Sequence, residues 1–384
     1  MKESTAPLRR EVALFDMSHC CHTAGMLSQG IEEIDPAFGQ TFTPHMVVAR
    51  FEGERWSRPE VGPFESLRLS PAAMALHYGQ AIFEGLKAFR QPDHSVALFR
   101  PDRNAERFDR SARRLAMPPI AESVFVESCL ELVDADEAFV PAVEGQSLYL
   151  RPMMLATESA LGVRAAREYL YAVIASPAGS YFPEGMRPIT VSVAEEAVRA
   201  APGGTGAVKT AGNYAASLAA KAEAVQQGFD DVLFLDAIDR RWVEELSGMN
   251  IVFVGRHGGR TTLVTPPARG TILDGVTRRS LLELGARLGQ EVAERPVGID
   301  EVLAGAFDEA FACGTAAVVA PIGAVRSARG DCAFGDGEVG AVTRQLRTAL
   351  LDLQEGRADD PFGWRVPVPT GPASTGRVIE LSDD

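Results

Sequence analysis

Lysine is nearly missing from this chain. Of 38 basic residues only Lys2, Lys87, Lys209 and Lys221 are lysine, and the rest are arginine. Other shortages each exclude something. No run of about 18 apolar residues occurs, so no membrane span is expected. The start, "MKESTAPLRREVALFDMSHCCH", lacks the apolar core of a signal peptide. An excess of basic charge is absent too, and the net charge of −14 argues against a nucleic-acid-binding face. Cysteine is sparse, five in 384 residues. The odd count, with Cys20 and Cys21 adjacent, excludes a disulfide framework and fits a reduced, cytoplasmic protein. "HCCH", His19 to His22, sets ligand types side by side with no second pair at zinc spacing, so no metal is expected. Repeats of fixed period and low-complexity tracts are missing.

The length suits two domains. Residues 1–41 read as irregular. "HMVVARFEG", "FESLRLS" and "SVALFRP" are short and apolar, as strands are. "PDRNAERFDRSARRLAMP" sets Phe108, Ala112 and Leu115 at helical spacing, and "SVFVESCLELVDADEAFVP" follows as a second helix. "SLYLRPMMLAT" and "EYLYAVIASPAG" read as strands. "GSYFPEGMRPITVSV" mixes Gly and Pro as a linker does. Beyond it, "FDDVLFLDAIDRRWVEEL" reads as a hairpin and "MNIVFVG" as a strand. "GVTRRSLLELGARLG" is a helix with Leu281, Leu282 and Leu288 on its apolar side. "DEAFACGTAAVVAPIGAV" is a buried strand pair, and "GAVTRQLRTALLDLQEGR" is a closing helix. Strands and helices mix in both halves, which gives an α+β fold.

Arginine supplies charge, but its guanidinium cannot lose a proton and become a nucleophile; lysine's amine can. Lys209, between the glycine-rich "GGTGAV" and "AGNY", is therefore a Schiff-base candidate. Lys221, in an alanine-rich helix, reads as a solvated helix lysine. The usual carbonyl partner of a Schiff-base lysine is pyridoxal phosphate, an electron sink. It needs an anion site, a carboxylate near its ring nitrogen and a donor to its phenolic oxygen. Gly275, Val276 and Thr277 at a helix start, and the turn at Gly314 and Thr315, offer the first. Arg107 could add a charge-assisted contact, though composition does not rank it above Arg103 or Arg110. Glu244 and Glu245 offer the second, and Tyr214 the third.

Taken together, the blocks "HYGQAIFEGLKAFR", "LFRPDRNAERFDRSARRLAMP", "YLRPMMLATESALGV", "AVKTAGNY", "EELSGMN", "TPPARGTILDGVTRRS" and "FACGTAAV" resemble, in order, the branched-chain amino-acid aminotransferases. These are fold-type IV pyridoxal-phosphate enzymes, and the resemblance runs from about residue 42 to 368, on the actinobacterial side. It implies a small domain at 42–182, an interdomain loop at 183–194 and a larger domain at 195–384, after a divergent segment 1–41. Lys209 would hold the cofactor as a Schiff base and then shuttle the substrate proton. Tyr214 would bond the phenolic oxygen and Glu245 would face the pyridine nitrogen. Arg107, Val276, Thr277 and Thr315 would hold the phosphate. Tyr78, Phe83, Tyr149 and Tyr181 would line an apolar side-chain pocket. Arg151 would meet the co-substrate's second carboxylate, and Gly314 to Ala316 would offer backbone amides to the α-carboxylate.

The implied activity is ping-pong transamination between L-leucine, isoleucine or valine and 2-oxoglutarate, in a homodimer with small-molecule partners only. One methylene discriminates weakly, by about 1–3 kcal/mol, so broad branched-chain use is expected. Gly248 departs from the resemblance where many members carry threonine. The mammalian Cys-x-x-Cys is missing after Cys313, so no thiol switch of that kind is expected. The same-fold rival is an aminotransferase acting on an unusual amino acid in secondary metabolism. "YLRP" and "FEGLKAFR" disfavour a D-amino-acid transaminase or an aminodeoxychorismate lyase. Lys209, Tyr214 and Glu245 together disfavour a non-catalytic binder. The two phosphate-type turns disfavour a lysine lyase without cofactor.

Overall fold

The computed structural model describes residues 38–182 and 185–369. The "HCCH" stretch and most of segment 1–41 lie outside the described residues. The fold is α+β, as expected, and is organised around two nine-stranded sheets.

The first sheet takes β1 (His45–Glu52), β2 (Arg55–Trp56), β3 (Glu60–Pro63), β4 (Ala81–Phe83), β5 (Leu86–Arg90), β6 (Val96–Phe99), β7 (Ser147–Ala156) and β8 (Tyr169–Ala178). The second takes β9 (Ile189–Val193), β10 (Asp231–Leu235), β11 (Val243–Leu246), β12 (Asn250–His257), β13 (Arg260–Thr265), β14 (Glu291–Glu294), β15 (Glu309–Gly314), β16 (Val318–Ser327) and β17 (Gly330–Ala333). A last strand, β18 (Arg365–Pro367), returns to pair with β6 of the first sheet. The helices are α1 (Met74–Tyr78), α2 (Pro101–Arg114), α3 (Glu122–Ala135), α4 (Ala211–Gln226), α5 (Val276–Arg287), α6 (Ile299–Leu303) and α7 (Ala341–Gln354).

The first sheet is antiparallel, in the order β18-β6-β5-β7-β8-β1-β2. β4 and β5 share one edge of β7: Ala81–Phe83 oppose Met153–Leu155, and Leu86–Ala88 oppose Leu148–Leu150. Glu84 and Gly85 interrupt the two strands, and this interruption matters below. The second sheet runs β11-β10-β9-β16-β15-β12-β13-β14 and is mixed, with β9 parallel to both neighbours.

Pro101 starts α2 at a position where a missing N–H costs nothing. Phe108 and Ala112 on its inner face are fully buried against Phe125 and Leu132 of α3 and the first sheet. Phe108→Ala would leave a void there costing about 3–5 kcal/mol. A second apolar cluster fills one face of the second sheet around Leu233, Ile251, Phe253 and Ala312. A third joins α5 and α7 to both sheets, through Leu281, Leu346 and Leu350 with Phe89, Phe99 and Trp364.

Four readings are corrected. "FESLRLS" is not a strand; β3 ends at Pro63, and residues 64–70 have no regular structure. The stretch read as a linker contains β9, whose β-branched "ITVSV" suits a central strand. Leu288 caps α5 and is exposed instead of joining Leu281 and Leu282. Lys221 is not simply solvated: it pairs with Asp231 at 2.9 Å and donates to the Asp230 carbonyl, tying α4 to β10.

Candidate active site

Lys209 is fixed before its amine is considered. Its backbone N–H donates to Ser111 Oγ on α2 at 3.0 Å. Its carbonyl accepts from Phe83 N–H at 3.1 Å, and Thr210 Oγ1 donates to the Ala81 carbonyl. The chain thus enters α4 stapled to α2 and β4. Asn213, in the first turn of α4, donates to the carbonyls of Thr205 and Val208 and accepts from Thr205 Oγ1. This single amide holds the glycine-rich loop in shape. Tyr214 follows, and Lys209 Nζ donates to its hydroxyl at 2.5 Å. Both line a cleft with Arg107, Arg199, Glu245, Asn250, Thr277 and Thr315.

One end of the cleft gathers groups that could hold an anion. Gly275 caps α5 without any side-chain hydrogen bond, so the first-turn N–H groups, Val276 and Thr277 among them, have no capping acceptor. A Cβ on Gly275 would overlap Asn250 Oδ1, so glycine is required by close approach. Arg107 also lines the cleft, and Arg103 and Arg110 do not. It is 3% exposed on the inner face of α2, whereas the side chains of Arg103 and Arg110 are 39% and 44% exposed. Glu84, fully buried in the β4–β5 interruption, grips Arg107 through Nε and Nη2 at 2.7 and 2.8 Å. Burial alone would raise the Glu84 pKa, but Arg107 holds it below the usual value. Arg107 Nη1 also donates to the Asp274 carbonyl. The Thr315 hydroxyl donates to the Gly85 carbonyl.

The other end holds a buried carboxylate. Glu245 on β11 accepts from Leu273 N–H at 3.0 Å and Asn250 Nδ2 at 2.9 Å, and pairs with Arg199 at 2.5 Å. Burial pushes its pKa up to about 7, against the pull of Arg199. Glu244, its neighbour on the strand, turns away to accept from Thr271 Oγ1. Period-two alternation allows only one of the two to face the cleft. Gly248 leaves open space, with Tyr214 Cε1 3.8 Å from where a side chain would begin.

Phe83 packs on Tyr214 with ring centres 4.9 Å apart, and Lys209 Nζ lies 4.7 Å above the Phe83 ring. Arg151 covers Phe83 at 4.8 Å and donates to the Tyr149 hydroxyl at 3.2 Å. Tyr149 and Arg151 share one face of β7 by alternation. Arg151 Nε is buried with no hydrogen-bond partner among the described residues, a free donor that a carboxylate could use.

Not every expected residue joins this cluster. Tyr78 is 41% exposed and donates to the Leu161 carbonyl. Tyr181 is 47% exposed and packs on Phe182. Ala316 turns its carbonyl toward Lys87. Sequence reasoning missed Glu84, Arg199 and Lys87, although lysine scarcity marked Lys87 as plainly as Lys209. It also missed Phe38, which meets Tyr149 edge-on at 4.8 Å and falls inside the segment set aside as divergent.

Residues 81–325 match the amino-transferase class IV family. The chain belongs to that family. It is 53% identical over 336 residues to a probable branched-chain-amino-acid aminotransferase of Streptomyces coelicolor, covering 86% of this chain and 92% of that one. It is 49% identical to the branched-chain-amino-acid aminotransferase of Mycobacterium tuberculosis, covering 86% and 91%. The Escherichia coli branched-chain amino acid aminotransferase superposes with a TM-score of 0.71 at 26% identity, over 85% of this chain and 100% of that one. The Thermobaculum terrenum branched-chain amino acid aminotransferase, solved in its PLP holo-form, superposes at 0.69 and 25% identity, over 86% and 100%. The two-sheet class IV aminotransferase is thus a fold-type IV protein, as its sequence blocks implied.

Proposed function

We propose that the protein is a pyridoxal-phosphate-dependent transaminase. It moves the amino group between L-leucine, isoleucine or valine and 2-oxoglutarate, giving branched-chain 2-oxo acids and L-glutamate. One observation carries this reading: Lys209 Nζ, 2.5 Å from the Tyr214 hydroxyl, sits in a cleft with an anion cradle at one end and the buried Glu245 carboxylate at the other. Those are the three contacts pyridoxal phosphate requires. The buried Arg199 Nε, without a partner among the described residues, marks this end as polar beyond what the protein's own groups satisfy.

Bound pyridoxal phosphate supplies the electron sink that lets a substrate Cα–H bond break. The side chains do the rest. Arg107, the N–H groups of Val276 and Thr277, and Thr315 hold its phosphate. Glu245, kept from wandering by Arg199 and Asn250, favours a protonated ring nitrogen. Tyr214 donates to the phenolic oxygen and, 2.5 Å away, orients Lys209. The Lys209 amine anchors the cofactor and, once freed, takes the Cα proton at Nζ and returns it. Phe83 and Tyr149 give an apolar wall for a branched side chain. Arg151, stacked on Phe83, meets the distal carboxylate of glutamate in the second half-reaction. Backbone amides at Gly314 to Ala316 hold the α-carboxylate.

The two-domain division at 42–182 and 195–384 is supported by the separate apolar clusters of the two sheets, with β18 a late return to the first. A homodimer is supported by exposed apolar side chains beside Tyr78: Leu76 on the same helix and Leu161, whose carbonyl Tyr78 meets, are 62% and 66% exposed. A cytoplasmic setting is supported by three buried free thiols, Cys129, Cys313 and Cys332. The charge of −14 speaks for small-molecule partners and not nucleic acid.

The test is kcat/KM for a panel of 2-oxo acids with L-glutamate as donor. The three branched-chain acids should lead, within about tenfold of one another. A different acid ahead of all three by a wide margin would overturn the substrate assignment.

A further inference from the structure

Lys87 lies on β5 with its side chain buried, 6% exposed. Among the described residues no carboxylate comes within 4.0 Å of its ammonium; its one hydrogen bond goes to the Ala316 carbonyl at 3.1 Å. Burial, with Arg347 of α7 adding repulsion and Glu355 partly opposing it, pulls its pKa down to about 8. Buried cations of this kind are costly unless something nearby uses the charge.

Two residues earlier, the Gly85 carbonyl accepts the Thr315 hydroxyl at 3.1 Å. Consecutive residues of the β15–β16 turn, Thr315 and Ala316, are therefore tied to one segment, Gly85–Lys87. The turn needs tying. Val318, which closes it, has φ of 60°, a left-handed conformation that β-branched residues avoid. A small cavity behind the turn is lined by Lys87, Asn104, Gln354, Val276, Thr277 and Thr315. The last three also line the cleft. Gln354 Oε1 is buried there without a partner among the described residues. Lys87 thus stands directly behind the anion cradle.

We propose that Lys87 is a positioning residue for the phosphate end of the site: its ammonium holds the Thr315–Val318 turn in its strained shape and sets a buried positive charge behind the cradle. This rests on the reading of Arg107, Val276, Thr277 and Thr315 as the phosphate site. A dianion in the cradle favours protonated Lys87, so the two reinforce each other, and by linkage each strengthens the other equally.

The experiment compares affinity for pyridoxal 5'-phosphate with affinity for pyridoxal, by absorbance titration, in wild type, Lys87→Met and Lys87→Arg. Free pyridoxal's internal hemiacetal lowers its affinity by the same factor in every variant, so changes in the ratio between variants isolate the phosphate. Lys87→Met should lower phosphate-ester affinity by about tenfold or more and leave pyridoxal within about twofold. In wild type the ratio should fall as pH rises from about 7 to about 10, where the phosphate is already dianionic and Arg347 stays charged. Lys87→Arg, which cannot lose its charge there, should keep the preference and lose its pH dependence.

A Lys87→Met ratio equal to wild type overturns the proposal, and so does an equal loss for both ligands, which marks a merely structural role. If Lys87→Met does not fold, a wild-type ratio flat from about pH 7 to about 10 overturns it. A wild type with no preference for the phosphate ester fails the phosphate-site reading itself.

Discussion

Replacing Glu245 by glutamine should erase one defined component of the pH dependence of stability. In the cofactor-free protein, burial holds the Glu245 carboxyl protonated up to about pH 7, against an ordinary value of 4.5. The unfolded chain ionises it near the ordinary value. Between the two, the native state binds one proton more than the unfolded state, and native stability falls by about 1.4 kcal/mol per pH unit. The interval is 7 − 4.5 = 2.5 units, so the total is about 3 kcal/mol. Because the folded value is raised, this contribution is complete below pH 4.5 and is lost as pH rises through about 7. Glutamine cannot titrate. Glu244, also pushed up by burial, is present in both proteins and cancels to first order. The assay is urea unfolding followed by far-UV circular dichroism at several pH values. From about pH 4 to about pH 8, wild type should lose about 3 kcal/mol relative to Glu245→Gln, with no further divergence above. Saturating pyridoxal phosphate should flatten the difference, because a protonated ring nitrogen favours the carboxylate. Parallel stability curves for the two proteins would refute the reasoning.

Glu84→Gln leaves Arg107 buried with its partner's negative charge gone and an amide NH2 in place of one acceptor oxygen. It should cost about 3–5 kcal/mol in urea unfolding and weaken cofactor binding; stability within about 0.5 kcal/mol of wild type would refute the pairing's importance. Gly275→Ala places a methyl against Asn250 Oδ1, and Asn250 Nδ2 bonds Glu245, so the Glu245 carboxylate shifts with it. Cofactor affinity should drop at least about tenfold by titration, and an unchanged value would show that the cradle yields freely. Burial pushes the Cys313 thiol up to about 12. Iodoacetamide should leave it unlabelled in the native protein by mass spectrometry, and reversible inactivation through a Cys313 disulfide would contradict this.

The chemistry of the site was legible where residue type restricts it. Lys209 stood out because arginine had replaced lysine almost everywhere else, and Tyr214 because tyrosine is scarce. The choice of Glu245 over Glu244 came from the resemblance; in the structure adjacent strand residues face opposite ways, and Glu245 is the one that lines the cleft. Glu84 and Arg199 were not legible. Each is one of many charged residues, and only the fold shows that each is buried against a site residue far away in sequence. Arg107 could not be told from Arg103 until the inner face of α2 was fixed by its packing on α3. Periodicity recovered the long helices and the alternating strands. It failed for "FESLRLS", where an apolar pattern has no neighbouring strand to pair with. It also failed at β9, where Gly and Pro upstream masked a β-branched strand. Tyr78 and Tyr181 show the limit of motif reasoning: a matching residue type does not place a side chain in the cluster.

The most direct measurement is the visible absorption spectrum of the purified protein loaded with pyridoxal phosphate, wild type beside Lys209→Ala. L-leucine is added first and 2-oxoglutarate second. The proposed function requires a wild-type absorption that leucine bleaches and 2-oxoglutarate restores, with no such cycle in Lys209→Ala. A wild-type spectrum indifferent to leucine, or a variant that cycles as wild type does, would contradict it.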